Sequence, residues 1–143
     1  MFSGTTTPKL DEKGRLVIPS KFRELSDSAL YITKGQDRCL SIYTASEFTR
    51  IAEQLQGARV TTRSAREFVR NFMASAELQV PDRQGRISVP NHLRLYAALD
   101  RDLVVIGNNN KVEIWSSELW ESNLAEQDEL FANRDEEVIP GIF

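Results

Sequence analysis

Apolar positions along the chain fall into short runs closed by Gly, Pro or Asn, and one helical stretch separates two sets of them. "RLVIP" (15–19) and "RISVP" (86–90) are β-branched runs ended by Pro and read as strands. "ALYITKG" (29–35) with "CLSIY" (39–43), and "DLVVIGN" (102–108) with "KVEIW" (111–115), read as hairpins around Gly, Gln, Asp and Asn turn residues. Ala65, Phe68, Val69, Phe72, Met73 and Ala76 follow helical spacing while Arg63, Arg66 and Arg70 take another face, which predicts a helix over 62–76. Ser64 and Glu67 offer it a capping box, as Thr44 and Glu47 do for a helix over 44–55. "SKFREL" and "NHLRLYA" predict short helices, with Ser20 and Asn91 near their starts.

The two sets of runs are copies. "DEKGRLVIPSKFR" (11–23) aligns without a gap on "DRQGRISVPNHLR" (82–94), an offset of 71 residues. Asp11/Asp82, Gly14/Gly85, Arg15/Arg86, Pro19/Pro90 and Arg23/Arg94 are identical pairs, and Leu16/Ile87, Ile18/Val89 and Phe22/Leu93 match in apolar character. Further on, Ile42-Tyr43 matches Ile114-Trp115 and Phe48 matches Trp120, with the offset grown to 72 or 73. The chain is therefore an internal duplication of a small α+β unit. Gly14 and Gly85 stand where a tight turn needs φ > 0, a conformation glycine adopts without steric cost.

A chain of 143 residues is long enough to bury a real core, and its 41% apolar and 27% charged fractions are those of a soluble globule. "MFSGTTTPKLDEKG" lacks the basic region and apolar run of a secretory signal, and no stretch is apolar enough for a membrane span. Cys39 is the single Cys and cannot form an intrachain disulfide, so a cytoplasmic location is expected. Net charge is −3, but the charge is divided unevenly. Residues 1–116 hold 17 Lys/Arg against 13 Asp/Glu, whereas residues 117–143 hold only Arg134 against eight acids. A basic body with an acidic tail is compatible with a nucleic-acid partner that the overall charge would argue against.

Catalysis finds little support. His92 has no Ser or Cys arrangement around it, and Lys21 occupies its place in the first copy. Cys39 begins a strand and reads as a semi-buried thiol. The glycines are scattered singly, without a phosphate loop, and one His with one Cys makes no metal set. No enzyme, no metal, no cofactor and no small-molecule substrate are expected. The twin turns carry the stronger reading. Lys9, Lys13 and Arg15 fall on one predicted hairpin and Arg83 and Arg86 on its duplicate. Arg can hold the O6/N7 edge of guanine in bidentate fashion, Lys acts as a point charge, and a two-stranded ribbon fits the major groove of double-stranded DNA. Asp11 and Asp82 would be repelled by phosphate, so with Gly14 and Gly85 they read as structural turn residues, ion-paired to Arg15 and Arg86. The arginines of the central helix read as a solvated face, and Phe22, Phe48, Phe68, Phe72, Trp115 and Trp120 as core or interface.

The paired Asp-x-x-Gly-Arg motifs, with "MFSGTTTPKL", "ALDRDLVVIG", "VEIWSSELWE" and "VIPGIF", resemble the MraZ family of bacterial transcriptional regulators over nearly the whole chain. The resemblance implies an α+β fold of two tandem AbrB-like swapped-hairpin units, which together form an intrachain pseudo-dimeric β-barrel with flanking helices. The units expected are residues 1–57 and 77–124, joined by a connecting helix over 58–76 and followed by an acidic tail over 125–143. It further implies a nucleoid-associated, sequence-specific DNA-binding regulator. Such a protein acts on direct repeats in the promoter of the division and cell-wall gene cluster, its own gene included. Repeats in one orientation suit a closed head-to-tail homo-oligomer above a dimer, probed by its assembly state, with neighbours meeting through apolar faces. Two alternatives stay open: an AbrB-like antitoxin that neutralises a toxin partner and autoregulates its operon, and a purely structural oligomer.

Overall fold

The computed structural model describes residues 1–143. Four strands follow the expected hairpins: β3 (Leu30–Lys34) pairs with β4 (Leu40–Thr44), and β7 (Leu103–Asn108) with β8 (Lys111–Ser116). Two short strands, β2 (Arg15–Val17) and β6 (Arg86–Ser88), come from the twin motifs. β1 (Thr5–Thr6) and β5 (Glu77–Gln79) begin the two copies. The helices are α1 (Ala45–Gly57), α2 (Arg63–Ser75), α3 (Asn91–Tyr96) and α4 (Ser117–Ala132), with a 3-10 segment at Ser20–Ser26. Six strands form an antiparallel sheet in the order β1-β7-β8-β4-β3-β5, and β2 and β6 form a separate ribbon. The fold is mixed α+β.

The two hairpins pair within their own copies, and every other ladder crosses between the copies. Leu16 lies opposite Ile87 in the ribbon and Ser41 opposite Glu113 in the β4–β8 ladder, so equivalent residues face each other across a pseudo-twofold axis. β1 joins the β7 edge of the second hairpin, while β5 joins the β3 edge of the first. Each copy thus gives its first strand to the other. The core repeats this exchange in matched pairs: Leu16 with Ile87, Ile18 with Val89, Phe22 with Leu93, Leu30 with Leu103, and Ile42 with Ile114. Each buried Leu or Ile contributes about 1.5–3 kcal/mol, and the buried cluster draws on both copies.

Local expectations are corrected at the helix starts. α2 is capped by Thr62, whose Oγ1 accepts the Ala65 N–H at 3.1 Å, and not by Ser64. Thr62 holds the extended backbone a cap requires, and Glu67 is taken up by the Arg63 Nε at 2.8 Å instead of reaching back. Pro19 and Pro90, rather than Ser20 and Asn91, precede the short helices and cap them through backbone carbonyls alone. The first of these is a 3-10 segment broken at Phe22 (φ −112°, ψ 34°). Thr44 does cap α1, accepting the Glu47 N–H at 3.2 Å. α4 continues to Ala132, well past Trp120.

Candidate nucleic-acid interface

The twin motifs build two turns of the same design. Asp11 N–H donates to the Arg15 carbonyl at 2.9 Å and Gly14 N–H to the Asp11 carbonyl at 3.0 Å; Asp82, Arg86 and Gly85 repeat both bonds at 3.0 and 2.9 Å. Gly14 (φ +75°) and Gly85 (φ +74°) both take the left-handed conformation that closes such a loop. The carboxylates then lock it. Asp11 Oδ1 accepts the N–H groups of Lys13 and Arg15 at 2.9 and 2.8 Å, and Oδ2 accepts Arg15 Nε at 2.8 Å. Asp82 does the same with Gln84, Arg86 and Arg86 Nε at 2.9, 3.0 and 2.8 Å. The Arg15 and Arg86 backbone N–H groups, chief among these partners, hold the two carboxyls below their ordinary value.

The two turns do not each extend into a ribbon of their own, as a hairpin reading of the sequence would have it. Beyond Arg15 the strand turns to β6 of the other copy, and Ile18 and Val89 N–H groups donate to the Gly85 and Gly14 carbonyls at 2.9 and 2.8 Å. One ribbon results, with a turn at each end. Its inward face is Leu16 and Ile87, both fully buried, and its outward face is Arg15, Val17, Arg86 and Ser88. Arg15 and Arg86 are diagonal neighbours there, Arg15 opposite Ser88 and Val17 opposite Arg86, which sets their Cα atoms roughly 7–8 Å apart. Each guanidinium is tied to its aspartate through Nε, so its terminal nitrogens remain for a partner outside the chain.

The other basic candidates divide. Lys13 and Arg83 are exposed at the turn tips and make no ion pair. Lys9 lies outside the turn, bridged to Asp102 through the backbone and paired with its carboxylate at 3.3 Å. Val17 and Ser88 were invisible as site residues in the sequence, since only the β2–β6 register turns them outward between the arginines. Arg94, from the end of the second motif, was also missed. Its guanidinium covers Gly14, where a Cβ would lie 2.7 Å from Cζ, and its Nε is buried without a partner. Its counterpart Arg23 instead directs Nε to the Ser20 carbonyl at 3.4 Å.

Elsewhere the chemistry is quiet. Burial, followed by the charge of Glu113, pushes the Cys39 thiol up to about 12, so it stays protonated. His92 is half exposed and 3.9 Å from Glu77. No three His, Cys, Asp or Glu side chains gather as a metal set, and no helix is long and apolar enough to cross a membrane.

The profile described as "MraZ protein, putative antitoxin-like" matches residues 1–71 and again residues 72–140. The chain is 51% identical over 143 residues to the transcriptional regulator MraZ of Micrococcus luteus, with both chains covered completely. It is 55% identical over 142 residues to the transcriptional regulator MraZ of Salinispora arenicola, covering 99% of this chain and 100% of that one. The protein of the same name from Parafrankia is 54% identical over 142 residues, 99% of each chain. Two profile matches, one on each copy of the turn motif, and half-identity over full length mean that the chain belongs to the MraZ family.

Proposed function

We propose that this chain is a sequence-specific, DNA-binding transcriptional regulator and not an enzyme, and that it uses the outward face of the β2–β6 ribbon. The relatives' shared name, transcriptional regulator MraZ, supports the general class. The observation that carries the site is the cross-copy register, which sets Arg15 and Arg86 on one face with their terminal nitrogens unbound. A two-stranded ribbon fits a major groove about 12 Å wide, and a 7–8 Å separation spans roughly two base-pair steps of about 3.4 Å. Arg15 and Arg86 then hold guanine edges, Val17 between them meets a thymine methyl, and Lys13 and Arg83 at the tips meet phosphates. Lys9, neutralised by Asp102, contributes less.

The exchange of β1 and β5 between copies supports the swapped-hairpin reading, in which residues 1–57 and 77–124 act as two AbrB-like units of one pseudo-dimer. In this reading the protein acts in the cytoplasm on the nucleoid, as a closed homo-oligomer on direct repeats in the division and cell-wall promoter that includes its own gene. Footprinting of the purified protein on the DNA upstream of its own gene tests this. Protection of evenly spaced repeats in one orientation is the expected result, and protection of a single palindrome or of nothing counts against it. One observation keeps the antitoxin alternative in view: Val138, Ile139, Ile142 and Phe143 are exposed apolar side chains at the C-terminus, and the family description names antitoxins. Co-purification of a small protein that dissociates when residues 138–143 are removed would favour that reading.

A further inference from the structure

The twin turns are alike in their own hydrogen bonds and unlike in what covers them. Gly14 is buried, whereas Gly85 is half-buried. The Arg94 guanidinium lies over Gly14, with Cζ 2.7 Å and Nη1 2.8 Å from where a Cβ would stand, and nothing comes within 4 Å of that point at Gly85. The Arg94 Nε is buried without a partner, so packing on the turn, not an acceptor for that nitrogen, places the group. α3 in turn fixes Arg94. Tyr96 Oη donates to the Gly35 carbonyl at 2.6 Å and Arg38 Nη1 to the Tyr96 carbonyl at 3.3 Å. Lys34 and Arg38 also stand over the Tyr96 ring, 5.1 and 5.2 Å from its centroid. The hairpin of the first copy thus anchors the helix of the second, and that helix braces the turn of the first. None of this recurs at the other end. Leu25 stands in the place of Tyr96 and has no hydroxyl, its segment breaks at Phe22, and Arg23 turns its Nε to the Ser20 carbonyl.

We propose that Arg94 is a positioning residue that gives the ribbon a direction on DNA: the braced Arg15 arm discriminates between bases and the unbraced Arg86 arm adapts. The proposal rests on the DNA reading above. Bidentate contact with a base edge needs the guanidinium held in one place, and an arm already held there loses less to ordering on binding. Asp11 and Asp82 tie Arg15 and Arg86 equally well to their own turns. The difference is how firmly each turn is held against the rest of the molecule. Gly14 keeps its left-handed conformation under a side chain fixed to α3, whereas Gly85 has open space over it. The tips differ in the same sense. Glu12 and Lys13 cancel at the first, and Arg83 beside Gln84 leaves a net positive charge at the second. The adaptable end thus has the stronger attraction for phosphate, and the braced end depends on its base contact. A pseudo-twofold ribbon that would otherwise fit a site in either orientation then prefers one.

Titration of the full-length protein against the upstream DNA, with each base pair of the protected site substituted singly, tests it. Arg15→Ala and Arg86→Ala first assign a base position to each arm. A wrong base at the Arg15 position should cost wild type more than one at the Arg86 position. Arg94→Met keeps the aliphatic stem and removes the guanidinium. It should cut discrimination at the Arg15 position about five-fold, a size usual for coupled neighbours, and leave the Arg86 position unchanged. Its salt slope should stay that of wild type, because a brace neutralises no phosphate. Arg23→Met should change neither position. Tyr96→Phe, which loses only the bond to Gly35, replaces Arg94→Met if that protein does not fold, and should shift the same position in the same direction. In DNA-free protein the Gly14 and Arg15 amides should exchange more slowly than those of Gly85 and Arg86, and Arg94→Met should erase the difference. Equal discrimination by the two arms of wild type, a lower melting temperature with the base profile intact, or uniform weakening on all DNA with a smaller salt slope would each overturn the proposal. If Arg15→Ala and Arg86→Ala relax no base position, the DNA reading itself fails and takes this proposal with it.

Discussion

Asp11 and Arg15 meet within five residues, and Asp82 and Arg86 repeat the meeting with distances that agree to within a few tenths of an ångström. Each carboxylate accepts three N–H groups, so the acid organises the turn and aims the arginine. Both carboxyls sit below their ordinary value of 3.8, so the ionised turn contributes stability above that value and loses it as pH falls through the lowered one. Melting of wild type and Asp11→Asn should therefore differ at about pH 7, and the gap should shrink as pH falls below 3.8 and close only below the lowered folded-state value, where both carry an uncharged side chain. A gap that stays constant with pH would show that the carboxylate charge is not what holds the turn. At neutral pH, DNA binding by Asp11→Asn should remain within a few-fold of wild type. The glycines give a second residue-level contrast. Gly85→Ala meets open space and suffers only backbone strain, about 1–2 kcal/mol, whereas Gly14→Ala must also displace the Arg94 guanidinium. Equal losses in chemical denaturation would mean that Arg94 yields freely.

The elements separate what sequence periodicity can carry from what it cannot. Both hairpins, the helix after each and the central helix are legible because each has its own apolar rhythm and turn residues. The partner of β2 is not. A three-residue strand reads the same whether it pairs within its copy or across, and only the assembled core sets Leu16 against Ile87. The outward positions of Val17 and Ser88 follow from that register and were hidden for the same reason. The α2 cap was misread because Ser64 and Glu67 have the right spacing, yet Thr62 two residues earlier takes the extended conformation and the Ala65 N–H. Thr62→Ala should then cost about 0.5–2 kcal/mol, with Ser64→Ala close to neutral. Urea denaturation of the two variants decides it, and the reverse order would restore the sequence-based cap.

On the scale of the whole molecule, the duplication explains why one chain suffices. The main buried cluster is shared, because it takes matched residues from both copies. Leu16→Ala should cost about 2–5 kcal/mol and still leave one cooperative unfolding transition, seen alike by tryptophan fluorescence and circular dichroism. Two separated transitions would mean that the copies fold independently. The acids of 117–143 stand on α4 and beyond it, whereas Lys13 and Arg83 stand exposed at the turn tips of the ribbon, so the overall charge of −3 is unevenly divided along the chain. The central claim is that this one ribbon reads DNA through its two braced arginines. Its most direct test is titration of wild type, Arg15→Ala, Arg86→Ala and Lys13→Ala against upstream and scrambled DNA at several salt concentrations. Each arginine variant should lose roughly 10–100-fold on the upstream sequence, about 1–3 kcal/mol, with little change on scrambled DNA. Lys13→Ala should weaken both alike and lower the salt slope by about one. Folded Arg15→Ala and Arg86→Ala proteins that bind the upstream DNA as wild type does would contradict the account.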